Sequence, residues 1–154
     1  MALTQQNSLT LYLRVRYGEC DAQGVVFNAR FADYADIAAT EYQRAVVGDY
    51  QNLIEAGADN QVVSMQIDWK TFAKFDDVLA LKVSTSHVGK TSFEFTILCQ
   101  KRVENDTWLD VAHMRLSYVM VDTTHYQKMP IIDALKAGFS TPFTKTINQS
   151  GETI

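Results

Sequence analysis

Glycine, proline and cysteine are all scarce, at 7, 2 and 2 in 154 residues. So little Gly and Pro excludes a collagen-like or low-complexity chain. Cys20 and Cys99 lie far apart with no CxxC spacing, which excludes a disulfide scaffold and makes a reducing, cytoplasmic setting the expectation. Basic residues are outnumbered, 14 Lys and Arg against 18 Asp and Glu, and no basic run is interleaved with aromatics, so nucleic acid is disfavoured as a partner. No stretch approaches the roughly 18 apolar residues that a membrane span needs. The opening MALTQQNSLT lacks the basic and apolar regions of a secretion signal. His87, His113 and His125 are widely spaced and fit no zinc or haem pattern, so neither a metal nor another cofactor is expected. GxxxxGKS/T, GxGxxG and GxSxG are missing, which leaves no sequence support for a phosphate loop or a nucleophile elbow.

Hydrophobic residues make up 47% of the chain and charged residues 21%, as in an ordinary globular protein, and the length suits a single domain over residues 1–154. Leu11, Leu13, Val15 and Tyr17 alternate with polar neighbours, the period of a half-buried strand. From Ala29 the period changes. Phe31, Tyr34, Ala35, Ala38, Ala39, Tyr42 and Ala45 recur every three or four residues and predict one helix over 29–47, roughly 28 Å long at 1.5 Å per residue. Asn28 stands where an N-cap belongs and Gly48 where a C-terminal stop belongs. After a polar, partly helical stretch (49–60), four more alternating runs begin at Val63, Leu79, Phe93 and Ala112, each with one face to bury. Beyond Met129 only a short helix (131–137) and a polar tail are expected. The class is α+β, a curved antiparallel sheet of about five strands wrapped around one long helix, because nothing else in the chain could cover the sheet's apolar face.

Asp21 lies in the glycine-containing loop GECDAQG, seven residues before Asn28. Unpaired N–H groups at a helix N-terminus can stabilise an oxyanion, and a nearby carboxylate can attack a carbonyl or deprotonate a water. Asp21 and the backbone N–H at Asn28 are therefore the candidate acyl-transfer pair. Taken alone the spacing is a weak signal, since such an Asp commonly hydrogen-bonds its own loop and such an Asn commonly caps.

The run VRYGECDAQGVVFNARFADYADIAATEY (15–42) resembles the signature of hot-dog-fold acyl-CoA thioesterases of the 4-hydroxybenzoyl-CoA thioesterase family. The matching positions are Tyr17, Glu19, Asp21, Gly24, Val25, Val26, Phe27, Asn28, Phe31, Tyr34 and Asp36. Looser likenesses follow in IDWKTFAKFDDVLALKV, in HVGKTSFEF and in QKMP, so that the resemblance covers about residues 10–138 and leaves a polar C-terminal tail. It implies the hot-dog fold, Asp21 as the catalytic carboxylate and the Asn28 N–H as oxyanion donor. It further implies a substrate groove involving Tyr17, Gly24, Phe27 and Ser92, and Lys90 and Lys128 as partners for coenzyme A phosphates. Many relatives carry His at the Asn28 position; here only the backbone role carries over.

The expected activity is hydrolysis of an acyl or aroyl thioester of coenzyme A or of an acyl-carrier protein. A non-catalytic acyl-thioester binder or scaffold is the competing reading, and a hydratase is disfavoured because no His lies near Asp21 in sequence. A single wrapped sheet leaves an open edge, and the resemblance implies a homodimer or homotetramer.

Overall fold

The computed structural model describes residues 7–154. The chain runs β1 (Ser8–Arg14), a 3-10 turn (Tyr17–Glu19), α1 (Arg30–Val47), α2 (Gln51–Glu55), β2 (Ala58–Trp69), β3 (Val78–Val88), β4 (Ser92–Val103), β5 (Thr107–Asp122), α3 (Asp133–Ser140) and β6 (Thr144–Asn148). The strands form one sheet in the order β2-β5-β4-β3-β1-β6, antiparallel throughout except for the parallel β1–β6 pair.

The core lies between α1 and the sheet. Phe31, Tyr34, Ala35, Ala38, Ala39, Tyr42 and Val46 form the buried face of α1, meeting Leu9, Leu11, Leu81, Phe95 and Leu116 of the strands. Alanine at the centre of the helix face lets the sheet approach closely, and each fully buried Leu or Phe contributes about 1.5–3 kcal/mol of transfer free energy. Tyr42 crosses Phe95 edge to face with ring centroids 4.9 Å apart, and its hydroxyl is shared with Thr85 Oγ1 at 2.7 Å. Gly48 ends α1 with φ 82°, a conformation that favours glycine.

The structure departs from the sequence reading in several places. Among the described residues there are six strands, because residues 144–148 of the supposed polar tail pair with β1, from Ser8↔Thr144 to Tyr12↔Asn148. The pairing is through the backbone, so TKTIN needs no apolar alternation. The first strand stops at Arg14, and Tyr17 sits in the following turn, 81% exposed. β2 starts at Ala58, ahead of the first apolar alternation at Val63, and that alternating row is not a buried face: Val63 is 61% exposed and Trp69 44%. The row is covered only in part, because β2 is the outermost strand with only β5 beside it: Ile67 packs on the core and Trp69 meets Phe31 edge to face at 5.8 Å, while Val63 stays open. Asn28 does not cap α1. The helix starts at Arg30, the preceding Ala29 is already helical (φ −64°, ψ −22°), and no side chain caps it. Finally, the last helix begins at Asp133 because Ile131 is tied into the corner by its N–H, which donates to the Lys90 carbonyl at 2.9 Å. That helix shares the work of covering the sheet. Phe139 packs on Phe93 (5.5 Å), and Gly138 approaches α1 so closely that a Cβ there would stand 2.0 Å from the Val46 carbonyl oxygen.

Candidate active site

Residues 16–28 form a tight, internally bonded hairpin. The Arg16 N–H donates to Glu19 Oε1 (2.7 Å) and the Phe27 N–H to the Glu19 carbonyl (2.9 Å). Further out, the Asp21 N–H donates to the Val25 carbonyl (2.8 Å), and the Gly24 N–H returns to the Asp21 carbonyl (2.9 Å) with Gly24 at φ 78°. Asp21 therefore stands at the base of a four-residue turn, half-buried, with Oδ1 accepting the Gln23 N–H at 2.8 Å. The hairpin is fastened to the β2–β3 connection by the Val26 N–H, which donates to the Ala73 carbonyl (2.8 Å), and by the Val25–Lys74 bridge. Tyr17 joins the same contact, meeting Phe75 edge to face at 5.8 Å.

Past the hairpin, the Arg30 N–H donates to the Phe27 carbonyl and the Phe31 N–H to the Asn28 carbonyl. The N–H groups of Asn28 and Ala29 donate no hydrogen bond among the described residues, and the Asn28 side chain makes none either. These are the free donors at the positive end of α1. Asn28 lines a cleft of about 250 Å³ whose walls also include Val26, Phe31, Trp69, Lys70 and Phe72. Asp21 is not in that wall; its hydrogen-bond partner Val25 is. Phe27 is half exposed beside it. Trp69, Lys70 and Phe72 were not among the residues expected here. Their signal was available in the run DWKTFAKF, where aromatics alternate with lysines next to a strand end.

Glu19 is the only acidic side chain that is buried among the described residues, 8% exposed. The Arg16 guanidinium supplements the backbone donor at 3.3 Å. From the helix side, burial and then the charge of Glu19 push the Tyr34 hydroxyl far above its ordinary pKa, so it remains protonated.

Lys90, Ser92 and Lys128 gather at a different corner. Ser92 pairs with Val119, the Met120 N–H donates to the Thr91 carbonyl (2.9 Å), the Met129 N–H to the Met120 carbonyl (2.9 Å), and Lys128 bridges Val121. This corner lies at the far end of β3 from the Asp21 hairpin, whose neighbour Val15 donates its N–H to the Asp77 carbonyl at the near end. Eleven residues of strand span about 35 Å, before any shortening by curl. Within one protomer the structure therefore unites Tyr17, Asp21, Gly24, Phe27 and Asn28, and separately Lys90, Ser92 and Lys128, but not the two groups with each other. Among the described residues no cluster of His, Cys, Asp and Glu is arranged to hold a metal, and no helix is long and apolar enough to cross a membrane.

A mostly antiparallel six-stranded sheet packed on one long helix is the hot-dog arrangement. Residues 23–102 match the thioesterase superfamily. The acyl-CoA thioesterase YbgC of Haemophilus influenzae is 31% identical over 134 residues, 86% of this chain and 95% of YbgC. Among solved structures, the 4-hydroxybenzoyl-CoA thioesterase of Pseudomonas sp. strain CBS-3 superposes with TM-score 0.76 at 20% identity, over 85% of this chain and 99% of that one. The DHNA-CoA thioesterase of Staphylococcus aureus superposes with TM-score 0.71 at 12% identity, over 80% of each. The chain belongs to the thioesterase superfamily and is a thioester hydrolase of the hot-dog fold.

Proposed function

We propose that the protein hydrolyses acyl thioesters of coenzyme A in the cytoplasm, with Asp21 as the catalytic carboxylate and the Asn28 N–H as oxyanion donor. The observation that supports this reading is the hairpin, which carries a half-buried carboxylate and leads directly into the two unpaired N–H groups ahead of α1. With the thioester carbonyl oxygen on the Asn28 N–H, Asp21 either attacks the carbonyl carbon or takes a proton from the attacking water. Negative charge grows on that oxygen, where the helix dipole and a preorganised donor stabilise it. The C–S bond then breaks, and the thiolate leaves and takes up a proton; where water attacked, the acid is released directly, and where Asp21 attacked, a water hydrolyses the resulting Asp21–acyl anhydride, releasing the acid and restoring the carboxylate. Phe31, Trp69 and Phe72 give the cleft an apolar, aromatic wall suited to an acyl or aroyl group.

The working unit is a homodimer formed along β2. That strand has one free edge and an exposed apolar row, the condition that proteins resolve by pairing. Its Trp69 end lies at the cleft, while its Ala58 end pairs with Asp122, close to the Lys128 corner. Antiparallel pairing of two β2 edges about a twofold axis therefore brings the lysine corner of one protomer to the Asp21 corner of the other. Lys90 and Lys128 then meet the phosphates of a coenzyme A whose thioester lies in the partner's cleft.

A hybrid experiment tests carboxylate, lysines and dimer together. Asp21→Asn and the double variant Lys90→Ala/Lys128→Ala are co-expressed with different tags, and the mixed dimer is isolated. The shared site predicts one wild-type site per hybrid, with about half the wild-type turnover at the wild-type KM. A hybrid that shows only the raised KM of the lysine variant would place lysines and carboxylate in the same protomer. An unchanged KM in the parent lysine variant would remove the lysines from the site.

A further inference from the structure

Glu19 touches both halves of the proposed site. Its carbonyl accepts the Phe27 N–H at 2.9 Å, Cys20 faces Val26 on the next rung, and Asp21 follows with its N–H on the Val25 carbonyl. Asn28, whose N–H is unpaired, comes immediately after Phe27. The rungs that start at Glu19 thus connect the carboxylate of Asp21 to that donor through the hairpin backbone.

The Glu19 side chain is turned inward and joins two elements. Oε1 accepts the Arg16 N–H at 2.7 Å, back at the start of the 3-10 turn, and the carboxylate faces the hydroxyl of Tyr34, which hydrogen-bonds to it from the first turns of α1. The Arg16 guanidinium adds a longer contact at 3.3 Å while staying mostly in solvent. A carboxylate withdrawn from water needs such donors, and a hydrogen bond to a charged acceptor is roughly twice as strong as a neutral one. Tyr34 is buried, with its ring edge to face on Phe31 at 5.7 Å, and Phe31 is a wall of the Asn28 cleft. Packed in this way, it cannot follow a hairpin that shifts.

The other fastenings of the hairpin point elsewhere. Val25 and Val26 tie it to residues 73–74 in the β2–β3 connection, and its internal bonds fix its own shape. Neither set holds its angle against α1, because residues 27–30 join the two through a turn. The Glu19–Tyr34 bond does.

We propose that Glu19, acting through Tyr34, is a positioning residue: it locks the hairpin to α1 and so fixes the Asp21 carboxylate relative to the Asn28 N–H. The inference rests on the roles given to Asp21 and Asn28 above. Two groups that must converge on one carbonyl tolerate little displacement, since a shift of about 1 Å can cost on the order of 100-fold in rate. Substrate binding by aromatic walls and surface lysines tolerates far more.

The test compares Tyr34→Phe, Glu19→Gln and the double variant of the full-length protein. The substrate is whichever of acetyl-, octanoyl- and benzoyl-CoA the wild type hydrolyses fastest, and its thioether analogue reports binding by calorimetry. Tyr34→Phe keeps the ring and should lower kcat about tenfold, with KM and analogue affinity within about twofold of wild type. Glu19→Gln keeps an acceptor for the Arg16 N–H but loses the charge, so its kcat should fall less, about threefold. Once the hydroxyl is gone the charge has no more to lose through that contact, so the double variant should be no slower than Tyr34→Phe. The Asp21 amide resonance of the free protein should shift in Tyr34→Phe. A kcat of Tyr34→Phe within about twofold of wild type, an unmoved Asp21 amide, or a double variant slowed by the product of the single effects would overturn the proposal. Rate and analogue affinity falling together would also overturn it, since a merely structural role loses both. Asp21→Asn, assayed in parallel, separates the two failures. If it keeps more than about a tenth of the wild-type rate, the reading of the site falls and this inference with it; if it is inactive while Tyr34→Phe is fully active, the positioning role alone falls.

Discussion

The two corners of the sheet are built in opposite ways. The Asp21 corner is a hairpin cross-braced by backbone hydrogen bonds, with its carboxylate partly withdrawn from solvent and fixed by the Gln23 N–H. The Lys90–Lys128 corner is a pair of turns whose backbones are tied together while both lysine side chains stay exposed. A group that must meet a carbonyl carbon needs geometry held to fractions of an ångström. A group that attracts a flexible polyanion needs only charge within reach. On the proposed reading, the contrast separates turnover from affinity along the length of one strand.

The sharpest way to break the first corner is Asp21→Asn, which keeps the side chain's size and its bond to Gln23 but removes its basicity and nucleophilicity. Turnover should fall by about 100-fold or more, while calorimetry shows a non-hydrolysable acyl-CoA analogue still binding. A residual rate above about a tenth of wild type would remove Asp21 from the chemistry. Next in size is the edge that joins the corners. Val63→Asp puts like charges into the proposed β2–β2 contact and should raise the dimer dissociation constant at least about tenfold in sedimentation, with activity lost in parallel on dilution.

A smaller effect belongs to the lysine corner alone. Asp122 accepts N–H groups from Thr124, His125 and Gln127, the turn that leads to Lys128, and these bonds, that of His125 foremost, lower its pKa below the ordinary carboxylate value. A carboxylate with a depressed folded pKa stabilises above its unfolded value and loses that contribution as pH falls through the folded one. The turn should therefore be intact from pH 5 upward and loosen only below about pH 4, seen as faster amide exchange at 123–127 with the Asp21 hairpin unaffected. Equal loosening of both corners would contradict their independence. The least effect is expected from Asn28→Ala. A side chain that makes no hydrogen bond has little to lose, so turnover should stay within about twofold of wild type, whereas a larger fall would show the amide itself taking part.

How far the sequence could be read depends on where each signal resides. The α1 periodicity, the antiparallel meander from β3 to β5 and the Asp21 loop are local patterns of side chains; α1 starts within a residue of the reading, while the strands run longer than their apolar alternation, β3 on to Val88 and β5 back to Thr107. β6 was invisible because Thr144–Asn148 is held by backbone pairing to a strand more than a hundred residues away. The alternation in β2 was legible, but its burial was not, because burial depends on which strand ends up outermost. Asn28 was misread as a cap because a turn intervenes before the helix, a matter of two residues that periodicity does not resolve. That Asp21 and Asn28 share one hairpin follows from their spacing, whereas the placement of the lysines at the other end of β3 required the register of that strand.

The β1–β6 pair has a consequence for how the chain is made. Ser8 lies beside Thr144, so the strand that nearly begins the domain waits for one that nearly ends it. During synthesis β1 can pair with β3 long before residues 144–148 have left the ribosome, and until then its other edge is open. At about 5–20 residues per second, the interval between the emergence of β3 and of β6 lasts several seconds. Nascent chains crowded on one messenger would share that exposed edge, so aggregation on polysomes should respond to translation speed over residues 89–148 far more than to the stability of the finished domain.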